Sequence, residues 1–186
     1  VFTEQELIKF EEEPTKLLVS PTKAEAFAQW LVTKEITHAF GIIGGGNAPL
    51  WDAIARLEKT RLICVHQEQA AAMAAAYYYR TSRRLALTLV TTGAGSTNVV
   101  TGVMAAWMDS IPLLVVSGNE ASKYHEDGGR GFGFQGYKSW RVAQHFTKLA
   151  KPLHLQDLDD DLAFALKPRQ GPIWLDFPKD SQSALA

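Results

Sequence analysis

The sequence predicts an α/β fold: a doubly wound, mainly parallel six-stranded sheet with helices on both faces. Three observations carry that expectation. Short apolar runs alternate with helical segments along the 186 residues, the order of successive βαβ units. The runs are near-continuously apolar, as strands covered on both faces are. Two glycine-rich turns stand directly between a strand and a helix, where open α/β sheets form their crevices.

Each element has its own signal. Residues 1–19 are set apart as a polar N-terminal extension. Ser20 is expected to cap a helix with Pro21 in its first turn, and Ala24, Phe27, Ala28 and Leu31 then recur at helical spacing. Next come a strand over 38–43, a helix over 47–57 starting near Pro49, and a short apolar strand over 62–65. The Ala-rich segment 68–80 reads as a helix, 85–91 as a strand, 96–108 as a helix and 111–117 as a strand. Residues 118–137 form a glycine-rich stretch too long for a simple connector, which marks a functional loop. Regularity resumes with a short helix over 139–145, a weak strand over 149–155, a helix over 158–166 and a last strand over 173–177.

Composition narrows the function classes. Nineteen basic against twenty acidic residues give a net charge of -1, which lacks the basic footprint of a nucleic-acid binder. The single cysteine, Cys64, excludes an internal disulfide framework. No apolar run approaches the roughly 20 residues that cross a bilayer. A cytoplasmic location is the expectation, with no membrane or nucleic-acid partner.

Three segments could carry chemistry. Gly41-Ile42-Ile43-Gly44-Gly45-Gly46-Asn47 brings backbone close to something or turns tightly. A dinucleotide fingerprint is one reading, with Glu68 about 20 residues on, but Pro49 stands where the third glycine belongs. In Val65-His66-Gln67-Glu68-Gln69, followed by Ala70 to Ala76, one carboxylate sits at the head of an apolar helix. The helix dipole favours its charge and apolar walls oppose it, and a carboxyl balanced in this way can share a proton with a ring nitrogen. Thr91-Thr92-Gly93-Ala94-Gly95-Ser96-Thr97-Asn98 makes a second small-residue turn with free backbone amides. Taken singly, each has a plainer explanation: a tight turn, a helix-dipole glutamate, a Ser/Thr cap. Cys64 and His66 read as core residues of a short buried strand, and Asp157, Asp159, Asp160 and Asp161 as a helix opening rather than a metal cluster.

Taken together, FGIIGGGNAPLWDAI, VHQEQAAAMAAAYYYR, LVTTGAGSTNVVTGVMAAWMDSIPLLVVSG and GPIWLDFPKDSQ, in this order, resemble the pyrimidine-binding domain of thiamine-diphosphate-dependent enzymes, closest to the acetolactate synthase branch. The domain would span 20–186. The resemblance implies that Glu68 bonds the N1' nitrogen of the cofactor's aminopyrimidine and promotes the imino tautomer that deprotonates the thiazolium carbon. It implies that Ile42, Ile43, Gly44, Gly45, Ala94 and Asn98 surround the pyrimidine, although the branch usually carries Tyr-Pro in place of Ile42-Ile43. Phe134 and Gln135 resemble a Phe-Gln pair aimed at the reaction centre, Phe134 as a pocket wall and Gln135 as a catalytic group on the substrate. His125 stands without the second histidine of simple pyruvate decarboxylases, so carboligation is preferred over aldehyde release.

The resemblance also defines what the chain lacks. Family members bind the diphosphate through magnesium on a second domain marked by Gly-Asp-Gly and a downstream Asn, and Glu126-Asp127-Gly128-Gly129 does not match that pattern. The expectation is a naturally split enzyme: a 2-oxo acid decarboxylase and carboligase subunit, inactive alone, whose Mg2+ ligands lie on a separate diphosphate-binding chain in an α2β2 assembly. The N-terminal extension and the plain SALA tail favour a split over a fragment. Two other readings stand beside it, a silent pyrimidine-domain homologue with a structural or regulatory role and an NAD-binding oxidoreductase domain.

Overall fold

The computed structural model describes residues 20–125 and 135–186. Six strands form one sheet: β1 (His38–Gly41), β2 (Arg61–Cys64), β3 (Leu87–Val90), β4 (Leu114–Asn119), β5 (Leu149–Pro152) and β6 (Ile173–Pro178). Their order is β2-β1-β3-β4-β6-β5, and every neighbouring pair is parallel. The helices are α1 (Lys23–Thr33), α2 (Ala48–Leu57), α3 (Glu68–Ser82), α4 (Ala94–Asn98), α5 (Val100–Met108), α6 (Ser139–Ala143), α7 (Leu158–Leu166) and α8 (Lys179–Ser183).

Both faces of the sheet are covered, which is why its strands are apolar throughout. Leu87, Leu89, Leu114, Val116, Ile173, Leu175 and Phe177 point to one core, closed by Phe27 and Leu31 of α1, Leu50 and Ile54 of α2, and Leu158 and Ala165 of α7. Their strand neighbours Val90, Leu113, Val115 and Trp174 point the other way, against Ala72 and Ala75 of α3, Val103 and Ala106 of α5, and Ala143 of α6. The period-2 geometry of a strand thus sends successive apolar residues into two separate cores. Small residues let α3 and α5 lie close: a Cβ added to Gly102 would stand 2.7 Å from the Ala72 Cβ and 2.9 Å from the Gln69 carbonyl oxygen.

The structure corrects several local expectations. Thr22, not Ser20, caps α1: its Oγ1 accepts from the Glu25 amide at 3.2 Å while Glu25 accepts from the Thr22 amide at 2.8 Å, a complete capping box. β1 ends at Gly41, two residues early, because the chain leaves the sheet to build the glycine turn. The helix expected over 96–108 begins at Ala94 and is divided at Val99 into α4 and α5. Cys64 and His66 are exposed, not core, since β2 is an edge strand with solvent-facing residues at both ends. The tail is less plain than it reads: Lys23 donates to the Ala184 carbonyl at 2.8 Å and Ala186 to the Pro21 carbonyl at 2.9 Å, tying 184–186 to the start of α1.

The acidic opening of α7 resolves into separate pairs. Asp159 accepts from the Trp30 indole at 2.7 Å and pairs with Lys34 at 2.9 Å. Lys151 bridges Asp157 at 2.7 Å and Asp161 at 2.9 Å. Among the described residues no group of three His, Cys, Asp or Glu is placed to hold a metal ion, and no helix is long and apolar enough to cross a membrane.

Candidate functional site

The strand order reverses between β1 and β3, since the chain moves outward to β2 and then returns to the other side of β1. Open α/β sheets bind ligands outside the carboxyl ends of the strands at such a switch point. Both glycine turns leave the sheet there, one after β1 and one after β3. Helix α3 follows β2 and crosses back over β1 and β3, so its first residue, Glu68, begins beside the same crevice.

Thr91 is the hinge between the two turns. A Cβ on Gly44 would lie 2.7 Å from Thr91 Cγ2, one on Gly95 would lie 2.9 Å from the same atom, and the Gly46 amide donates to Thr91 Oγ1 at 3.2 Å. Only hydrogen fits at those glycines, which is the physical content of the repeated residue. Gly45 is the contrast, with nothing within 4 Å of an added Cβ, so its backbone faces open space. Gly93 adopts φ 67, a conformation that side chains resist, and lets the chain turn into α4.

Buried Asn47 shapes the first turn from inside. Its Oδ1 accepts from the Gly44 amide at 2.7 Å and its Nδ2 donates to the Ile42 carbonyl at 3.0 Å. The Gly44 amide is therefore already engaged, which argues against a dinucleotide pyrophosphate on this loop. Gln182 of α8, fully buried, holds the far side by donating to the Gly46 carbonyl at 2.7 Å and the Phe177 carbonyl at 2.5 Å.

Glu68 is 9% exposed, and its Oε2 accepts from Asn98 Nδ2 at 3.0 Å. Oε1 has no hydrogen bond among the described residues, and a Cβ added to Gly95 would stand 3.6 Å from it. One carboxylate oxygen is thus anchored and the other left for an incoming donor. Asn98, expected beside the pyrimidine, bonds the glutamate itself. Ile43 is 57% exposed at the mouth, Ile42 is half-buried, and Ala94 lines a shallow apolar depression with Gly93, Thr97 and Tyr137.

The chain re-enters at Gln135, which is exposed; Phe134 lies outside the described residues. The Gln135 carbonyl accepts from Thr92 Oγ1. Tyr137 OH meets Ser96 Oγ at 2.6 Å, and burial pushes the phenol up, the Ser96 contact opposing it. Sequence reasoning missed Tyr137, Asn119, Asp176 and Gln182. For Asn119 and Asp176 a signal existed: Asn119 ends, with Ser117, an apolar strand, and Asp176 is a lone charge in the apolar β6.

Comparison with known proteins places the chain in a family. Residues 21–146 match the family model described as thiamine pyrophosphate enzyme, N-terminal TPP binding domain. Among curated relatives, the chain is 32% identical over 165 residues to an acetolactate synthase large subunit of Buchnera aphidicola from Schizaphis graminum, covering 84% of this chain and 28% of that protein. It is 33% identical over 172 residues to acetolactate synthase isozyme 1 large subunit of Escherichia coli, covering 88% and 29%. It is 33% identical over 168 residues to a mitochondrial acetolactate synthase of Schizosaccharomyces pombe, covering 87% and 24%. The chain thus spans less than a third of each of these relatives. With both glycine turns and Glu68 inside the matched region, the chain belongs to the thiamine pyrophosphate enzymes and carries their N-terminal TPP binding domain.

Proposed function

We propose that this chain is the pyrimidine-binding subunit of a thiamine-diphosphate-dependent 2-oxo acid decarboxylase and carboligase of acetolactate-synthase type. The observation that carries the reading is Glu68, buried at the switch point with one oxygen held by Asn98 and the other uncovered beside Gly95. The fit to an aminopyrimidine is good: a flat ring meets open space over Gly45, an apolar wall at Ile43 and Ala94, and a carboxylate oxygen without a donor. When bound, thiamine diphosphate supplies the nucleophilic carbon and the electron sink for decarboxylation.

The chain's own residues do the rest. Glu68 holds a proton at Oε1 for exchange with the pyrimidine ring nitrogen, and Asn98 fixes the angle of the carboxylate. Gly44 and Gly45 let the ring approach the backbone, Ile42, Ile43 and Ala94 exclude water, and Gln135 orients the substrate at the mouth, with Phe134 as its wall. Magnesium and the diphosphate are held by a separate chain, in an α2β2 assembly. Exposed apolar side chains on the two helices that lead away from the crevice support a docked partner: Met104 and Met108 of α5 are 46% and 69% exposed, and Tyr77 of α3 is 64% exposed.

Glu68→Ala and Glu68→Gln, made in the native assembly, are expected to slow proton exchange at the thiazolium carbon by roughly 100- to 10,000-fold, the range of a lost general acid-base group. NMR-detected deuterium exchange measures this, and full exchange in either variant overturns the assignment. Intact-mass measurement of the purified assembly tests the partner. A second chain bearing the diphosphate site supports the split, and a single longer chain overturns it.

A further inference from the structure

Beneath the crevice lies a buried polar cluster. Asp176, in the middle of apolar β6, is 2% exposed. Its Oδ1 accepts from Ser117 Oγ at 2.6 Å and Ser139 Oγ at 2.5 Å, and its Oδ2 from Asn119 Nδ2 at 2.9 Å. The indole of Trp174 donates to Ser117 Oγ at 2.8 Å. Burying a carboxyl among neutral donors is costly, and desolvation pushes Asp176 up although the Ser117, Ser139 and Asn119 contacts oppose it. An apolar residue at this place in β6 would avoid that cost, so the network needs another reason.

The reason lies in what Asn119 reaches. Its Nδ2 also donates to the Tyr137 carbonyl at 2.9 Å, and its Oδ1 accepts from Thr92 Oγ1 at 2.9 Å and from the Glu120 amide at 2.9 Å. The Thr92 hydroxyl, with one proton, is shared between Asn119 and the Gln135 carbonyl. Ser139, at the start of α6, is held by Asp176 itself. Three points of the returning segment, Gln135, Tyr137 and Ser139, are therefore fastened to the residues after β3, the end of β4 and the middle of β6 through three side chains, Thr92, Asn119 and Asp176.

We propose that Asp176 and Asn119 are positioning residues that set the place of the 135–139 segment over the crevice, and through it the Gln135 side chain and the Tyr137 ring that lines the depression at Gly93 and Ala94. The Gln135 role rests on the reading under Proposed function; the clamp does not. Asp176 fixes the rotamer of Asn119 by accepting, at one oxygen, from the amide that also reaches the Tyr137 carbonyl. Neither residue touches the reacting atoms.

The test exchanges the partners in the native assembly. Asp176→Leu, of similar length, removes the acceptor of the Asn119 amide and breaks the tie. The double variant Asp176→Asn with Asn119→Asp restores a bond between the two positions but presents a carboxylate oxygen to the Tyr137 carbonyl. Expected are a melting temperature recovered by the double variant and a 135–139 segment that still exchanges its amide hydrogens about tenfold faster than wild type. The KM for substrate rises about five- to tenfold in both variants while thiazolium proton exchange is unchanged. Thr92→Val, which cuts the tie at the Gln135 end, serves where Asp176→Leu does not fold, and the same loosening is expected. Wild-type exchange over 135–139 in either folded single variant overturns the clamp, as does a double variant that recovers the segment together with stability. A failed Glu68 test with intact loosening would overturn the proposed function and leave the clamp standing.

Discussion

At the scale of single residues, Gly118 and Gly45 have unlike reasons to be glycine. An alanine at Gly118 would place its Cβ 2.1 Å from the Gly46 carbonyl oxygen, a contact that backbone has to move to relieve. Gly118→Ala is therefore expected to destabilise the domain by about 1–3 kcal/mol, the usual cost of overpacking, as read by denaturant unfolding. Gly45→Ala meets nothing and leaves stability unchanged, yet on the proposed function it adds a methyl where the ring approaches the backbone, so cofactor affinity in the assembly is expected to fall while the melting temperature holds. Calorimetry on the assembly, run beside the melts, checks that opposition. The sequence shows glycines at both positions and cannot separate the two reasons, because the distinguishing atoms come from β3, β4 and the turns around them.

At the scale of elements, α1 shows local chemistry deciding a boundary. Thr22 and Glu25 form a reciprocal cap, and Glu25 is held below its ordinary range first by the Thr22 backbone amide. Ser20, two residues earlier, offers the same hydroxyl, and only the path of the chain shows which one meets the free amides. Thr22→Ala is expected to cost about 1 kcal/mol of stability, and Ser20→Ala nothing, in paired urea titrations. The break between α4 and α5 has a different origin. Gly93 turns the chain into a short helix whose Asn98 must reach Glu68, and α5 then follows its own axis against α3. Apolar periodicity runs across the break and so reads as one helix.

At the scale of the whole molecule, buried and surface carboxyls give stability opposite dependences on pH. Asp176 is raised by burial, so its folded value lies above the unfolded one. Its contribution is present below the unfolded value and lost as pH rises through the folded one. Asp157 is lowered by its hydrogen bond from Lys151, and Asp159 by those from Trp30 and Lys34. Their contributions are present above the unfolded value and lost as pH falls through the folded ones. Thermal melts across the acid range are expected to show wild type losing stability at the low end. The gap between wild type and Asp176→Asn should shrink as pH rises above the ordinary carboxylate range. A gap that widens instead would mean that Asp176 is ionised at little cost.

What the sequence by itself determined is the layered architecture and the three segments of the crevice. Strand and helix periods are local, glycine turns are local, and the switch point follows from a parallel sheet built of βαβ units. Sequence reading also found Glu68, because a lone carboxylate at the head of an alanine-rich helix stands out. Only the tertiary structure decided that Asn98 anchors one oxygen of Glu68, that Cys64 and His66 lie on an edge strand in solvent, and that Asn119 and Asp176 fasten the returning segment. Those contacts join residues between 18 and 57 positions apart, or depend on which strand ends up outermost. Periodicity records which way a side chain faces; what it meets there is settled when the strands take their places.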